Sequence, residues 1–250
     1  MIREEDDFLV GLMKTIHELG HGMYEQNLPK KYLNQPVGKA AGMSAHECQS
    51  LFFEQQIGST IEFMVIIDKI LKDDFSLNDY SLSPQNMYKH ITKVYKNTTR
   101  LESDEISYLL HVMMRVEIEK DLVEGKFRAF DLKEIWDQKL DEYLDIKSIE
   151  DKDGCMQDIH WYKGYFGYFP SYLIGSVSAH MIKDAYEANN NKNLLQSISS
   201  EDFENINLWL NENFWSLGNF KSFDTLLNSI TSKDIDTQSD IQYMQNKYLI

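Results

Sequence analysis

Apolar side chains recur along this chain at intervals of three and four residues, and few stretches show the strict alternation of a half-buried strand. The pattern predicts an all-α, multi-helix protein. A first helix is expected from about Glu4 to Gln26, with Phe8, Leu9, Leu12, Met13 and Ile16 at core spacing and Pro29 beyond its end. A polar loop containing Pro36, Gly38 and Gly42 follows. Ser44 and Glu47 have the spacing of a capping box, so a second helix is expected to open there and run through Phe52, with a bend allowed at Gly58. Further helices are predicted from Ser83-Pro84 toward Tyr95, from Ser103 to about Glu124 with Gly125 as its stop, from Asp131 with Glu134 to near Tyr143, and from Tyr168 to Ala188. Ile149 to Gly164 reads as a loop with a short helical piece, and Asn189 to Ser200 as an exposed connection. Two or three shorter helices complete the chain. No repeat or sharp linker interrupts the pattern, so residues 1–250 are expected to form one region.

Composition narrows the picture. The 250 residues are 42% hydrophobic, enough for a core and against bulk disorder. Twenty-five basic residues face 40 acidic ones, a net charge of −15. That sign repels nucleic acid and anionic membrane at long range, so neither is an expected partner. The longest purely apolar run, Phe63 to Ile67, is too short to span a bilayer. The charged opening Met1 to Asp7 is not followed by the apolar stretch of a signal peptide. Cys48 and Cys155 cannot make a disulfide framework, and the expected location is cytoplasmic.

The chemistry concentrates in His17-Glu18-Leu19-Gly20-His21. Four residues is just over one helical turn, so His17 and His21 project from one face and can grip one metal ion. Glu18 lies beside them, where it can take a proton from metal-bound water. The bland alternative is two histidines on a surface helix. A hydrolytic zinc site needs a third protein ligand. Glu47, 26 residues after His21, is the candidate, because a loop and a helix start fit in that interval. Its alternative role is the helix cap. Cys48 should point about 100° away from Glu47, into the core or behind the ligands.

These residues carry a resemblance. The stretch from Ile16 to Pro29, then His46 to Ser50, resembles the carboxypeptidase Taq family of metallocarboxypeptidases. Met114 to Glu119 resembles that family's Ile-Arg-x-x-Ala-Asp motif, with methionine for the isoleucine and Ile118-Glu119 for Ala-Asp. Gly154 to Trp161 matches its Gly-x-x-Gln-Asp-x-His-Trp motif, and the aromatic run Gly167 to Tyr172 is similar too. The resemblance implies a helical fold with a deep groove over the metal, and removal of single residues from peptide C-termini. It implies His17, His21 and Glu47 as ligands, Glu18 as the catalytic glutamate, and a homodimer. It implies one divalent metal: zinc, with cobalt or manganese as alternatives. Family members are about twice as long, so the chain is expected to correspond to their C-terminal half, without the Asp-x-Arg-x-Thr motif that should precede the metal helix.

Peptides are therefore the expected substrates. Arg115 and His46 are candidate substrate-binding residues. Arg115 is suited to a terminal carboxylate by its forked donors, with Glu119 one turn on to orient it. An ordinary helix-face ion pair is the alternative. His160, Tyr168 and Tyr172 are candidate donors to the oxyanion that forms on water attack, with Gln157 and Asp158 placed to orient the His160 ring. Most of the seven aromatics between Trp161 and Tyr172 should be packing, and the pattern does not choose between Tyr168 and Tyr172. His90, His111 and His180 have no motif around them and read as structural or surface residues. Two other readings stand beside a working carboxypeptidase: an inactive metal-binding remnant, or a half-enzyme needing a separate N-terminal chain. An endopeptidase with the same metal chemistry is a further, weaker one.

Overall fold

The computed structural model describes residues 7–148 and 150–249. Among these, helices and short 3₁₀ turns carry all the regular structure and there is no strand. Eleven α-helices follow one another among the described residues: α1 (Phe8–Gln26), α2 (Met43–Leu51), α3 (Ile61–Phe75), α4 (Pro84–Ile91), α5 (Glu105–Val123), α6 (Leu132–Leu144), α7 (Pro170–Asn189), α8 (Leu194–Ser199), α9 (Phe203–Asn213), α10 (Phe223–Thr231) and α11 (Gln238–Tyr248). The segment Phe52–Gly58, directly after α2, is π-helical. No helix among the described residues is long and apolar enough to cross a membrane.

The chain divides into two compact units. The larger contains the described residues up to Ile91 together with those from Ile174 onward; the smaller is Thr92–Leu173. In the larger unit, α1 packs most extensively against α2 and the π-helical turn. Its buried stripe is Leu9, Met13, Ile16, Gly20 and Tyr24, the three- and four-residue spacing of one helix face. In the smaller unit, α5 packs on α6 around Met114, Ile118, Trp136, Leu140 and Leu144. Fully burying one such leucine or isoleucine contributes about 1.5–3 kcal/mol.

Several ends differ from the sequence expectation, each for a local reason. The expected start of the first helix at Glu4 lies outside the described residues, and α1 is capped by Asp7, whose carboxylate accepts from the Leu9 amide at 2.9 Å. Asp104 rather than Ser103 caps α5, accepting from Ile106 and Ser107. The Ser44–Glu47 capping box does not form. α2 opens at Gly42, which has no side chain, and the Glu47 carboxylate is turned elsewhere. The Asp131 carboxylate accepts from the Arg128 amide of the preceding turn and does not cap α6. The stretch read as an exposed connection contains α8, with a capping box of Asn193 and Gln196 and with Leu194 and Ile198 fully buried. Among the described residues beyond Asn189 four α-helices follow, where two or three were expected.

Candidate metal centre

The α1 stripe decides where the histidines go. His17 and His21 each follow a stripe residue, so both lie at the edge of the packed face and stay half-exposed. Gly20 is the reason α2 comes close enough to complete the set. A Cβ on Gly20 would sit 2.6 Å from the Gln49 carbonyl oxygen and from Ser50 Cα. Gly175 of α7 does the same beside Glu47, where a Cβ would meet the Glu47 Cβ at 2.5 Å. Two helices thus approach α2 with no side chain between. Trp215 adds a fixed point, donating its indole N–H to buried Gln49 at 2.7 Å.

The outcome is that His17, His21 and Glu47 each offer one ligand atom, all within 4.8 Å of one another. His17 Nε2 stands 3.8 Å from Glu47 Oε2, too far for a hydrogen bond. Two ligands of a tetrahedral zinc lie roughly 3.4 Å apart, from metal–ligand distances of about 2.1 Å. Two imidazoles and one carboxylate are a familiar donor set for a catalytic zinc, so the residues fit the ion. Glu47 is buried, and Ser50 donates to the same Oε2 at 3.0 Å. The His17 side chain keeps 26% of its surface exposed, so the donor face is reachable.

The electrostatics agree. Burial, with the neighbouring His17 and His46, pushes His21 down to about 4, so it is neutral and ligand-competent at pH 7. Its Nδ1 is buried without a hydrogen-bond partner. Burial also pushes His17 down, but the hydrogen bond to Glu54 and the charges of Glu54, Glu47 and Glu18 outweigh it and leave His17 raised. Glu18 itself is exposed. His46 is half-buried beside the ligands: its ring centroid lies 5.3 Å from that of His21, and its Nε2 meets Glu25 Oε2 at 3.2 Å. Cys48 is fully buried, which pushes its thiol well above the ordinary range; it is core, as its angle on the helix predicts.

One residue in contact with a candidate ligand escaped the sequence reading. Glu54, in the π-helical segment, accepts a hydrogen bond from His17 Nδ1 at 2.8 Å. Its distance of seven residues from Glu47, two helical turns, was the available signal.

The other candidates lie in the smaller unit. Arg115 is fully buried: its Nε donates to Asp158 Oδ2 at 2.6 Å and its Nη1 to the His111 carbonyl at 2.8 Å, with the guanidinium over Trp136. Arg100 donates to the other oxygen, Oδ1, through Nε and Nη2 at 3.2 and 2.9 Å. Burial pushes the Asp158 carboxyl up, but the two guanidiniums outweigh it and hold it below the usual range. Glu119, expected to orient Arg115, accepts instead from the Trp161 indole at 2.7 Å and from the Gly167 amide. Gln157 donates to the carbonyls of Thr98, Asp153 and Gly154, shaping its loop and not the His160 ring. His160 is held by Tyr172, whose hydroxyl is 3.1 Å from Nε2; Asp158 stays 3.7 Å from Nδ1. Tyr168 meets His160 ring to ring, with centroids 5.2 Å apart. His111 and His180 are buried and His90 is exposed, as read.

Comparison with known proteins points one way. The family model described as carboxypeptidase Taq (M32) metallopeptidase matches residues 2–248. Carboxypeptidase 1 of Bacillus subtilis is 32% identical over 98% of this chain and 49% of its own length. The solved structure of Trypanosoma cruzi metallocarboxypeptidase 1 superposes with a TM-score of 0.94 at 34% identity, covering 99% of this chain and 52% of that one. An M32 carboxypeptidase from Deinococcus radiodurans gives 0.93 at 30% identity, over 98% of this chain and 50% of that one. The chain thus spans about half the length of the relatives it matches.

Proposed function

Since the chain belongs to the carboxypeptidase Taq (M32) metallopeptidase family, we propose that it is the metal-binding part of a carboxypeptidase that releases single amino acids from peptide C-termini. The observation that carries this is the convergence of His17, His21 and Glu47 beside an exposed Glu18. These three residues would hold one divalent ion, zinc first, with cobalt or manganese as substitutes. When bound, such an ion supplies Lewis acidity, polarising the scissile carbonyl and making a water molecule easier to deprotonate. The remaining work belongs to side chains. Glu18 takes the water's proton and later passes it to the leaving amine, a role its solvent exposure permits. Glu54 keeps the His17 ring turned. For His160, Tyr168 and Tyr172 as oxyanion donors, and for His46 as a substrate contact, the support is motif and local chemistry. For Arg115, full burial on Asp158 supports a part in holding the loop that carries His160 more than contact with a substrate carboxylate. A cytoplasmic location belongs to the same proposal, and so does a homodimer when the N-terminal half is present.

The half-length coverage favours a second reading, in which the centre binds metal but turns over only with a further polypeptide. One assay separates the two: release of the terminal amino acid from an N-blocked peptide by the purified chain with zinc or cobalt, beside Glu18→Gln. The first reading predicts release that falls by about 10²–10⁴-fold in the variant. Metal binding without release supports the second. Cleavage away from the C-terminus contradicts both.

A further inference from the structure

His17 sits between two carboxylates, one at each ring nitrogen. Glu47 Oε2 is 3.8 Å from Nε2 and Glu54 Oε2 is 2.8 Å from Nδ1. Since a carboxylate only accepts, Nδ1 carries a proton, and in the neutral ring, the form that binds a metal, Nε2 keeps its lone pair on the Glu47 side. The two acids come from one continuous helical segment, seven residues or about 10 Å of rise apart, and the imidazole bridges the interval between them.

The backbone at Glu54 is fixed in an unusual way. Its carbonyl accepts from the Ser59 amide at 2.8 Å, a five-residue step that belongs to the π-helical turn. The next carbonyl, of Gln55, accepts from the Tyr243 hydroxyl of α11 at 3.3 Å. Tyr243 is in turn bonded by Lys247 at 2.6 Å and packs on His180 with ring centroids 4.2 Å apart. His180 pairs with Asp240 of the same helix at 2.8 Å. The turn bearing Glu54 is therefore tied at its backbone to α11, far along the chain from the ligands.

We propose that Glu54 is a positioning residue for the metal centre: it fixes the tautomer and rotation of His17 so that Nε2 faces Glu47, and the π-helical turn, pinned by Tyr243, sets its reach. The proposal rests on His17, His21 and Glu47 holding the ion. A carboxylate behind a ligating imidazole raises the ligand's basicity, and its loss typically weakens metal binding by about 10–100-fold.

The test is the zinc dissociation constant of the full chain, by competition with a chromophoric chelator, for the parent, Glu54→Ala, Glu54→Gln and Glu47→Ala. Glu54→Ala is expected to bind zinc about 10–100-fold more weakly, with Glu54→Gln between it and the parent, because an amide oxygen still accepts from Nδ1. Cobalt reports the geometry directly. Its visible bands are expected to shift in both Glu54 variants, which a residue acting only on stability would not cause. Circular dichroism of the metal-free variants shows whether the fold survives; if Glu54→Ala unfolds, Glu54→Gln carries the test. Glu54 variants that match the parent in affinity and cobalt spectrum, while Glu47→Ala loses zinc, overturn the role of Glu54 alone. Zinc binding that survives Glu47→Ala overturns the metal centre and this proposal with it.

Discussion

In the larger unit, His17, His21 and Glu47 turn lone pairs toward one another, whereas in the smaller unit Arg100 and Arg115 turn N–H groups onto the oxygens of Asp158. Both clusters take charge or polarity out of water. Only the second is complementary by itself: each Asp158 oxygen has its own guanidinium, and the distances of 2.6–3.2 Å are those of charge-assisted bonds. In the first, ring nitrogen and carboxylate stand 3.8 Å apart, beyond hydrogen-bond distance. A set of facing acceptors is poorly arranged unless a cation joins it. The difference teaches how to tell a candidate binding centre from a structural ion pair: the former keeps donor atoms reachable from solvent, whereas the latter is closed around opposite charges.

The sharpest way to break this comparison is Asp158→Ala. It leaves two buried guanidiniums without their partner and is expected to cost about 3–5 kcal/mol of stability, read by urea denaturation. A cost below about 1 kcal/mol, as for a surface pair, would remove the contrast. Next is Gly20→Val, which pushes a side chain into the α2 backbone where even a Cβ would lie 2.6 Å away. It should cost about 1–3 kcal/mol and also weaken metal binding, because α2 carries Glu47. Unchanged zinc affinity would show that the close approach of α1 and α2 does not set the ligand distances.

A pH series sharpens the comparison further. His111 is buried next to Arg115, and burial first, then that charge, hold it down at about 4 against an ordinary 6.5. The unfolded chain therefore binds more protons between these values, so stability is full above about 6.5 and falls as the pH drops toward 4. His21 has the same sign, while His17, being raised, has the opposite one: its contribution is present at low pH and lost as pH rises through its folded value. Melting curves of the metal-free protein are expected to show the acid loss, and His111→Gln to flatten it. An identical slope in that variant would place the effect elsewhere. The smallest effect is Tyr172→Phe, which removes one hydrogen bond to His160 and should cost about 0.5–1.5 kcal/mol by thermal melting.

Much of the candidate metal centre's geometry was legible because its information is local. His17 and His21 are one turn apart, so a single helix aligns them whatever the rest of the fold does. Glu47 was legible through the resemblance and the loop length, though its spacing to Ser44 also suggested a cap that Gly42 supplies without a side chain. Glu54 was signalled only by its two-turn spacing from Glu47, and nothing local announces that the helix widens to a π turn after Leu51. Arg115 illustrates the other limit. Its charge partner lies 43 residues away in a loop, and the nearby Glu119 was spent on Trp161 and Gly167. The run from Asn189 to Ser200 looked polar by composition, yet only Leu194, Ser197 and Ile198 needed to face inward to make a helix there.

The central claim is that one ion is held by two imidazoles and a carboxylate, with Cys48 excluded. Zinc X-ray absorption on the loaded chain tests it most directly. The account predicts nitrogen and oxygen neighbours at about 2.0–2.2 Å with the scattering pattern of two imidazoles. A sulfur shell near 2.3 Å, or a single imidazole, would contradict it.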